Sequence, residues 1–272
     1  MGGQIPHVTW CLTGPLTFLP IHAAGHYGTK AQPKIFDYVV SSHTPTLTSL
    51  LSAKHRLREP SQTTRLLAIS QPATPPEHPL PGTVNEVHVI QSIQHDAGRF
   101  GVTWLNDEEA TLAAVLGHMK GCHWIHLACH GIQMPVNPTE SAFLLIDEPL
   151  TLREIVKQSF SHAELAFLSA CQTAKGHSEL PEEAIHLAAG MLMAGYGNVV
   201  ATMWSIRDND GPIVAEEFYK YLIEADGDSS KAAYALHHAV ARLRDLRGED
   251  KFERWIPFIH FGFCSPSCPL PE

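Results

Sequence analysis

No apolar run in this 272-residue chain approaches the 18 or more residues of a membrane-spanning helix. The first residues, Met1-Gly2-Gly3-Gln4, lack the basic segment and apolar stretch of a secretory signal. Pro6 stands where a myristoylation motif needs Ser or Thr. No strand-like segment leads into GxGxxG or GxxxxGK[ST], which weakens any dinucleotide or phosphate reading. There is no paired CxxC and no internal repeat. Charge is sparse, at 17% of residues, and the formal net charge is -9. Residues 1–60 carry five basic and two acidic side chains, and the remainder carries 14 and 26. An acidic body does not suit nucleic acid or an anionic membrane, since both select a basic face. It does tolerate a basic peptide. The expectation is a cytoplasmic protein with neither nucleic acid nor membrane among its partners.

Six cysteines are present: Cys11, Cys122, Cys129, Cys171, Cys264 and Cys268. Without a signal, in a chain this long, they read as reduced thiols rather than a disulfide framework. Cys122, His123, His126 and Cys129 crowd together. Alternation along a strand would put Cys122, His126 and His130 on one face and His123 and Cys129 on the other. No metal site is expected there, and no cofactor elsewhere. Cys264 and Cys268 read as exposed thiols in a Pro-rich tail, and His260 as a strand histidine. Eighteen histidines make any one of them uninformative alone.

What the chain does contain is two apolar runs that each stop at a reactive side chain. Leu165-Ala166-Phe167-Leu168 ends at Ser169-Ala170-Cys171-Gln172-Thr173, and Trp124-Ile125-His126-Leu127-Ala128 ends at Cys129-His130-Gly131. Short apolar runs closed by small polar residues suit buried parallel strands. In such sheets, sites form beyond the carboxyl ends of the strands. Cys171 and His130 are therefore a candidate nucleophile and acid/base pair. Small neighbours would let a peptide backbone approach, and Gly131 can aim its N–H at an oxyanion.

From residue 65 onward, strand-like runs at 65–70, 102–105, 142–146 and 198–204 alternate with helical patterns at 85–95, 106–120, 151–159, 180–194, 210–224 and 229–247. The pattern predicts an α/β fold, with a mainly parallel sheet and helices on both faces. A final strand at 255–261 is expected at an edge because of Pro257. In residues 1–60, strands are expected at 8–12 and 36–41, an edge strand or loop at 16–21, and a helix at about 44–54. Three regions follow: an N-terminal β-rich extension at 1–64, a core at 65–263, and a flexible Pro/Cys tail at 264–272.

Four stretches together resemble the CHAT domain, a caspase- and separase-related cysteine peptidase domain. They are His130-Gly131 after its apolar strand, Leu168-Ser169-Ala170-Cys171-Gln172-Thr173-Ala174, Ala188-Ala189-Gly190-Met191-Leu192-Met193-Ala194-Gly195 and Val200-Ala201-Thr202-Met203-Trp204. They cover roughly residues 120–225, and Gly14-Pro15-Leu16 to Leu19-Pro20 also fits. The resemblance implies a caspase-like sheet with His130 as general acid, Cys171 as nucleophile, and the N–H groups of Gly131 and Cys171 as the oxyanion hole. It implies a protein or peptide substrate held as an added strand beside Met203-Trp204-Ser205-Ile206. Asp208 and Asp210 either cap the next helix or wall a pocket for a basic side chain. Such domains often follow tetratricopeptide repeats, and none precedes this one. The alternatives are a fragment with a missing repeat region, a shortened paralogue, or a different regulation, such as a repeat-containing partner. The alternative is a catalytically silent interaction module on the same fold.

Overall fold

Side-chain alternation along the central strands builds the molecule. Leu165 and Phe167 join one apolar cluster while Ala166 and Leu168 join another on the opposite face. Trp124, Ile125 and Leu127 alternate in the same way, as do Val199, Val200 and Ala201. A strand buried on both sides needs a helical layer on each. The computed structural model describes residues 5–28, 32–56, 63–97, 100–134, 136–158, 160–169, 171–172 and 183–264.

The strands are β1 (His7–Trp10), β2 (Val40–His43), β3 (Thr64–Ser70), β4 (Phe100–Asn106), β5 (Trp124–Ala128), β6 (His130–Ile132), β7 (Ala142–Phe143), β8 (Leu150–Thr151), β9 (Leu165–Leu168), β10 (Cys171–Gln172), β11 (Asn198–Thr202) and β12 (Phe258–Gly262). The α-helices are α1 (Leu47–Arg56), α2 (Gly82–Ala97), α3 (Leu112–Met119), α4 (Leu152–Lys157), α5 (Glu183–Ala194), α6 (Gly211–Glu224), α7 (Ala232–Arg247) and α8 (Phe252–Trp255). Eight strands form the main sheet, in the order β1-β2-β12-β11-β9-β5-β3-β4. The block β11-β9-β5-β3-β4 is parallel throughout. β12 runs antiparallel to β11, and β2 and β1 follow β12 in parallel. Residues of α2, α6 and α7 pack in the cluster on one face, and residues of α3, α4 and α5 in the other. Gly190 lets α5 close on α4, since a Cβ there would stand 2.5 Å from Leu152.

Several expectations are corrected. The last strand is interior, not at an edge, lying between β11 and β2. Pro257 precedes β12 and does not interrupt its ladder, and its carbonyl accepts the Met203 N–H at 2.8 Å. The N-terminal strands β1 and β2 form one edge of the main sheet. The strand expected at 36–41 begins at Val40, because Ile35–Asp37 forms a 3-10 turn closed by the Lys34 N–H donating to the Asp37 carboxylate at 3.1 Å. The apolar stretch at 16–21 is likewise 3-10, at Gly14–Phe18 and Ile21–Ala23. Asp107–Glu109 is also a 3-10 turn, and α3 starts after it with Thr111 as its cap, accepting from the Ala114 N–H. Cys264 is buried, at 4% exposure, where an exposed thiol was expected. Cys268 and the rest of the tail lie outside the described residues.

Candidate active site

β5 and β9 are neighbours at the centre of the parallel block, with His126 opposite Phe167 and Leu127 opposite Leu168. Both apolar runs stop there, and the chain leaves the main sheet on each. It restarts as β6 and β10 in a second, four-stranded sheet of order β10-β6-β7-β8. β6 and β10 pair in parallel, with Cys171 opposite His130 and Gln172 opposite Gly131. Neighbouring strands lie about 4.8 Å apart, so this register sets the two backbones side by side. The expected pair is on adjacent strands just beyond the carboxyl ends of β5 and β9, and those strands belong to the small second sheet. Only the backbone of Cys171 belongs to the described structure.

His130 is 3% exposed. Its carbonyl accepts the Leu144 N–H at 2.8 Å, and Gly131 pairs with Phe143 of β7. The ring Nε2 lies 2.7 Å from the His78 carbonyl oxygen. A carbonyl only accepts, so Nε2 carries a proton, and the neutral ring has its lone pair on Nδ1. Among the described residues nothing hydrogen-bonds this buried Nδ1.

His78 belongs to the Pro-rich loop that runs from the end of β3 to α2. The loop closes on itself through the Leu80 N–H to the Pro72 carbonyl, and it is pinned to β5 by the Gln71 N–H to the Ala128 carbonyl. At its end the Gly82 N–H donates to Asp208 Oδ2 at 2.7 Å. A Cβ on Gly82 would stand 2.2 Å from the Asp208 carbonyl oxygen, so this contact needs glycine. Asp208 thus ties the segment after β11 to the start of α2, not to the start of α6.

Met203 is buried and packs with the cluster of the α3–α5 face, while Trp204 is partly buried against both clusters. Ser205 is exposed. The Met203 N–H is committed to Pro257. Asp210 is fully buried and stands at the N-cap position of α6, but its side chain makes no capping hydrogen bond there. Its carboxylate accepts from Arg247 Nε at 3.0 Å and from the Arg254 guanidinium.

A second polar cluster joins α2 to β5 and to the end of β9. Glu86 of α2 is 3% exposed and accepts from the Ser169 hydroxyl at 2.9 Å, with His126 Nε2 3.0 Å away. The clue in the sequence was weak: one acid on an otherwise apolar helix face. Among the described residues no group of three or more His, Cys, Asp or Glu is arranged to hold a metal ion. Likewise no helix among them is long and apolar enough to cross a membrane.

The arrangement is similar to that of known peptidases. Gingipain R (RgpB) of Porphyromonas gingivalis, an Arg-specific cysteine proteinase, superposes with a TM-score of 0.59 at 12% identity, over 86% of this chain and 56% of that one. Separase of Saccharomyces cerevisiae, in its complex with securin, gives 0.57 at 16% identity, over 84% of this chain and 14% of that one. The chain therefore spans about half of the first protein and a seventh of the second. No curated protein sequence matches it. These likenesses define the fold as that of caspase-like cysteine peptidases. The CHAT domain family model matches residues 1–263. Matched over nearly its whole length and carrying this fold, the chain belongs to the CHAT domain family.

Proposed function

We propose that this chain is a cysteine endopeptidase that cleaves a protein substrate with His130 and Cys171, within a regulatory or cell-death pathway. The observation that carries the reading is the pairing of Cys171 with His130, on the two parallel strands of the small sheet. The His78 carbonyl supports it, because it leaves a buried Nδ1 lone pair as the proton acceptor.

The thiol is a weak nucleophile, so its proton passes first to His130 Nδ1. The thiolate adds to the peptide carbonyl, and the oxyanion takes hydrogen bonds from the N–H groups of Gly131 and Cys171. One such donor contributes about 3 kcal/mol to lowering the barrier. The imidazolium then protonates the leaving amine as the C–N bond breaks. His130, neutral again, takes a proton from water, whose oxygen attacks the thioester and releases the acid and the thiol. Throughout, the His78 carbonyl holds the ring in place. No metal or organic cofactor enters this cycle.

Substrate lies as an added strand along Met203–Ser205, with main-chain hydrogen bonds giving affinity and side-chain pockets giving selection. Met203 anchors the segment and Trp204 offers an apolar wall. Asp208 keeps one carboxylate oxygen on Gly82, and its other oxygen supplies negative charge for a Lys or Arg before the cleaved bond. The Arg specificity of gingipain R is in line with this choice. A regulatory protein partner, repeat-containing or supplied by a longer chain, fits a peptidase that must be held silent; the separase fold was crystallised with securin.

The test is turnover of a peptide library, followed by matched peptides with Arg, Met or Asp before the scissile bond. Arg is expected to exceed Asp by on the order of 10²-fold or more in kcat/KM, because a fitted charge pair discriminates strongly when one partner is wrong. Equal rates for Arg and Asp would remove Asp208 from the pocket. A preference for Met would keep strand addition alone, and cleavage of nothing would favour a silent interaction module.

A further inference from the structure

One buried carboxylate joins the three chain segments around His130 and Cys171. Glu86 Oε1 accepts from Ser169, two residues before Cys171. Its Oε2 receives His126 Nε2, four residues before His130. With Nε2 donating, His126 Nδ1 is left to accept the Tyr219 hydroxyl of α6 at 3.2 Å. His126 is fully buried and stacks on Phe167, with ring centroids 4.9 Å apart at 20°. Gly211 leaves the space for this cluster: a Cβ there would stand 2.2 Å from Glu86 Oε1 and 3.2 Å from Ser169 Oγ. The Tyr219 phenol is raised well above its usual range, by burial first and then by the negative charge of Glu86.

Burying a carboxylate is costly even when its oxygens are hydrogen-bonded, and apolar packing of similar volume would avoid that cost. The place of Glu86 in the fold gives it another use. It sits in the first turns of α2. The loop just before that helix supplies the His78 carbonyl to His130, and the first residue of the helix, Gly82, is bound by Asp208. The ends of β5 and β9 are thus fixed against the same helix that presents the acceptor for the His130 ring. Resting on the peptidase reading above, we infer that Glu86 is a positioning residue: through Ser169 and His126 it holds β10 and β6 in register, so that Cys171 meets His130. It touches no substrate and transfers no proton.

The test uses the full chain with Glu86→Leu and Glu86→Gln. It reads thermal unfolding, kcat and KM on a cleaved peptide, and amide exchange at residues 130–132 and 171–172. Glu86→Leu is expected to fold and to lose about 10²-fold in kcat, the scale of an ångström of misplacement at a reacting pair. KM should stay within about twofold, because ground-state substrate contacts are untouched. Exchange at the five named residues should rise about tenfold or more while β3 and β11 keep their protection. Glu86→Gln, which can still accept from Ser169, should fall between Glu86→Leu and the native chain. A folded Glu86→Leu with native kcat and native exchange would overturn the inference. So would exchange that rises evenly across the main sheet, the signature of a core residue only. Should Glu86→Leu fail to fold, Glu86→Gln decides on the same readouts. If the native chain cleaves no peptide, the peptidase reading falls, and local exchange at 130–132 and 171–172 still decides whether Glu86 holds the register.

Discussion

Cys171→Ala is expected to lower peptide turnover by on the order of 10⁴-fold or more, and His130→Ala by nearly as much. The reason is chemical. Without the sulfur no covalent intermediate forms, and without the imidazole the thiol keeps its proton and the amine leaves unprotonated. The two groups act as one unit, so the double variant should resemble either single one rather than their product. The backbone register of β6 and β10 does not depend on either side chain's chemistry, so thermal unfolding should stay close to native in all three. The measurement is kcat/KM on the best library peptide, with the unfolding midpoint recorded alongside. Full turnover in Cys171→Ala would remove the nucleophile assignment. A strictly additive double variant would show that the two residues work apart.

Mild acid is expected to cost roughly 2 kcal/mol of stability per deeply buried histidine between pH 7.5 and pH 5, and two of these rings lie on β2 and β12. His43 of β2 and His260 of β12 are 7% and 1% exposed. Burial lowers both to about 3, and nearby imidazoles add to the effect: His22 beside His43, and His7 and His43 beside His260. Their polar neighbours are neutral at pH 7. His260 bonds the Ser42 hydroxyl at 2.7 Å and Asn198 Oδ1 at 3.1 Å, and His43 meets His22 edge-on with centroids 5.5 Å apart. A folded pKa below the unfolded value of about 6.5 means that the unfolded chain binds more protons between the two. Stability is therefore full above about pH 6.5 and declines as pH falls toward 3. At pH 5 each group contributes a loss of roughly 2 kcal/mol. Urea unfolding at the two pH values measures the sum over these rings, with His22 and His237, both lowered to about 4, included, and His43→Phe should remove its own share of roughly 2 kcal/mol. Stability that is flat or rising on acidification would contradict the burial of these rings. The sheet edge they occupy joins β1 and β2 to β12, so acid should loosen the N-terminal strands before the parallel block.

The parallel block was legible because its side-chain period is simple. Leu165–Leu168 is apolar at every position and Trp124–Ala128 at all but His126, and only a strand covered on both faces requires that. Cys171 and His130 were legible for the same reason, since they end those runs. The partners of the site were not legible, because they are brought in by tertiary contacts over long separations. His78 contributes a backbone carbonyl, which any residue type would supply. Glu86 looks in sequence like one acid on a helix face, and its burial depends on Ser169 and His126, 83 and 40 residues away. Asp210 looked like a cap because it precedes a helix, but Arg247 and Arg254 claim its carboxylate. Pro257 suggested an edge because proline cannot donate to a ladder. One residue of offset placed it before β12, where its missing N–H does no harm. The small sheet of β6, β7, β8 and β10 escaped notice because its strands hold two or three residues each, too few to carry a period.

The central claim is that one thiol is made reactive by one imidazole. The measurement that tests it most directly is labelling of the native chain with a peptidyl acyloxymethyl ketone ending in Arg, mapped by mass spectrometry. A single adduct on Cys171 is expected, with the exposed Cys11 unmodified, and His130→Ala should slow its formation by on the order of 10²-fold or more. Labelling confined to Cys11, or labelling of Cys171 at an undiminished rate in His130→Ala, would contradict the account.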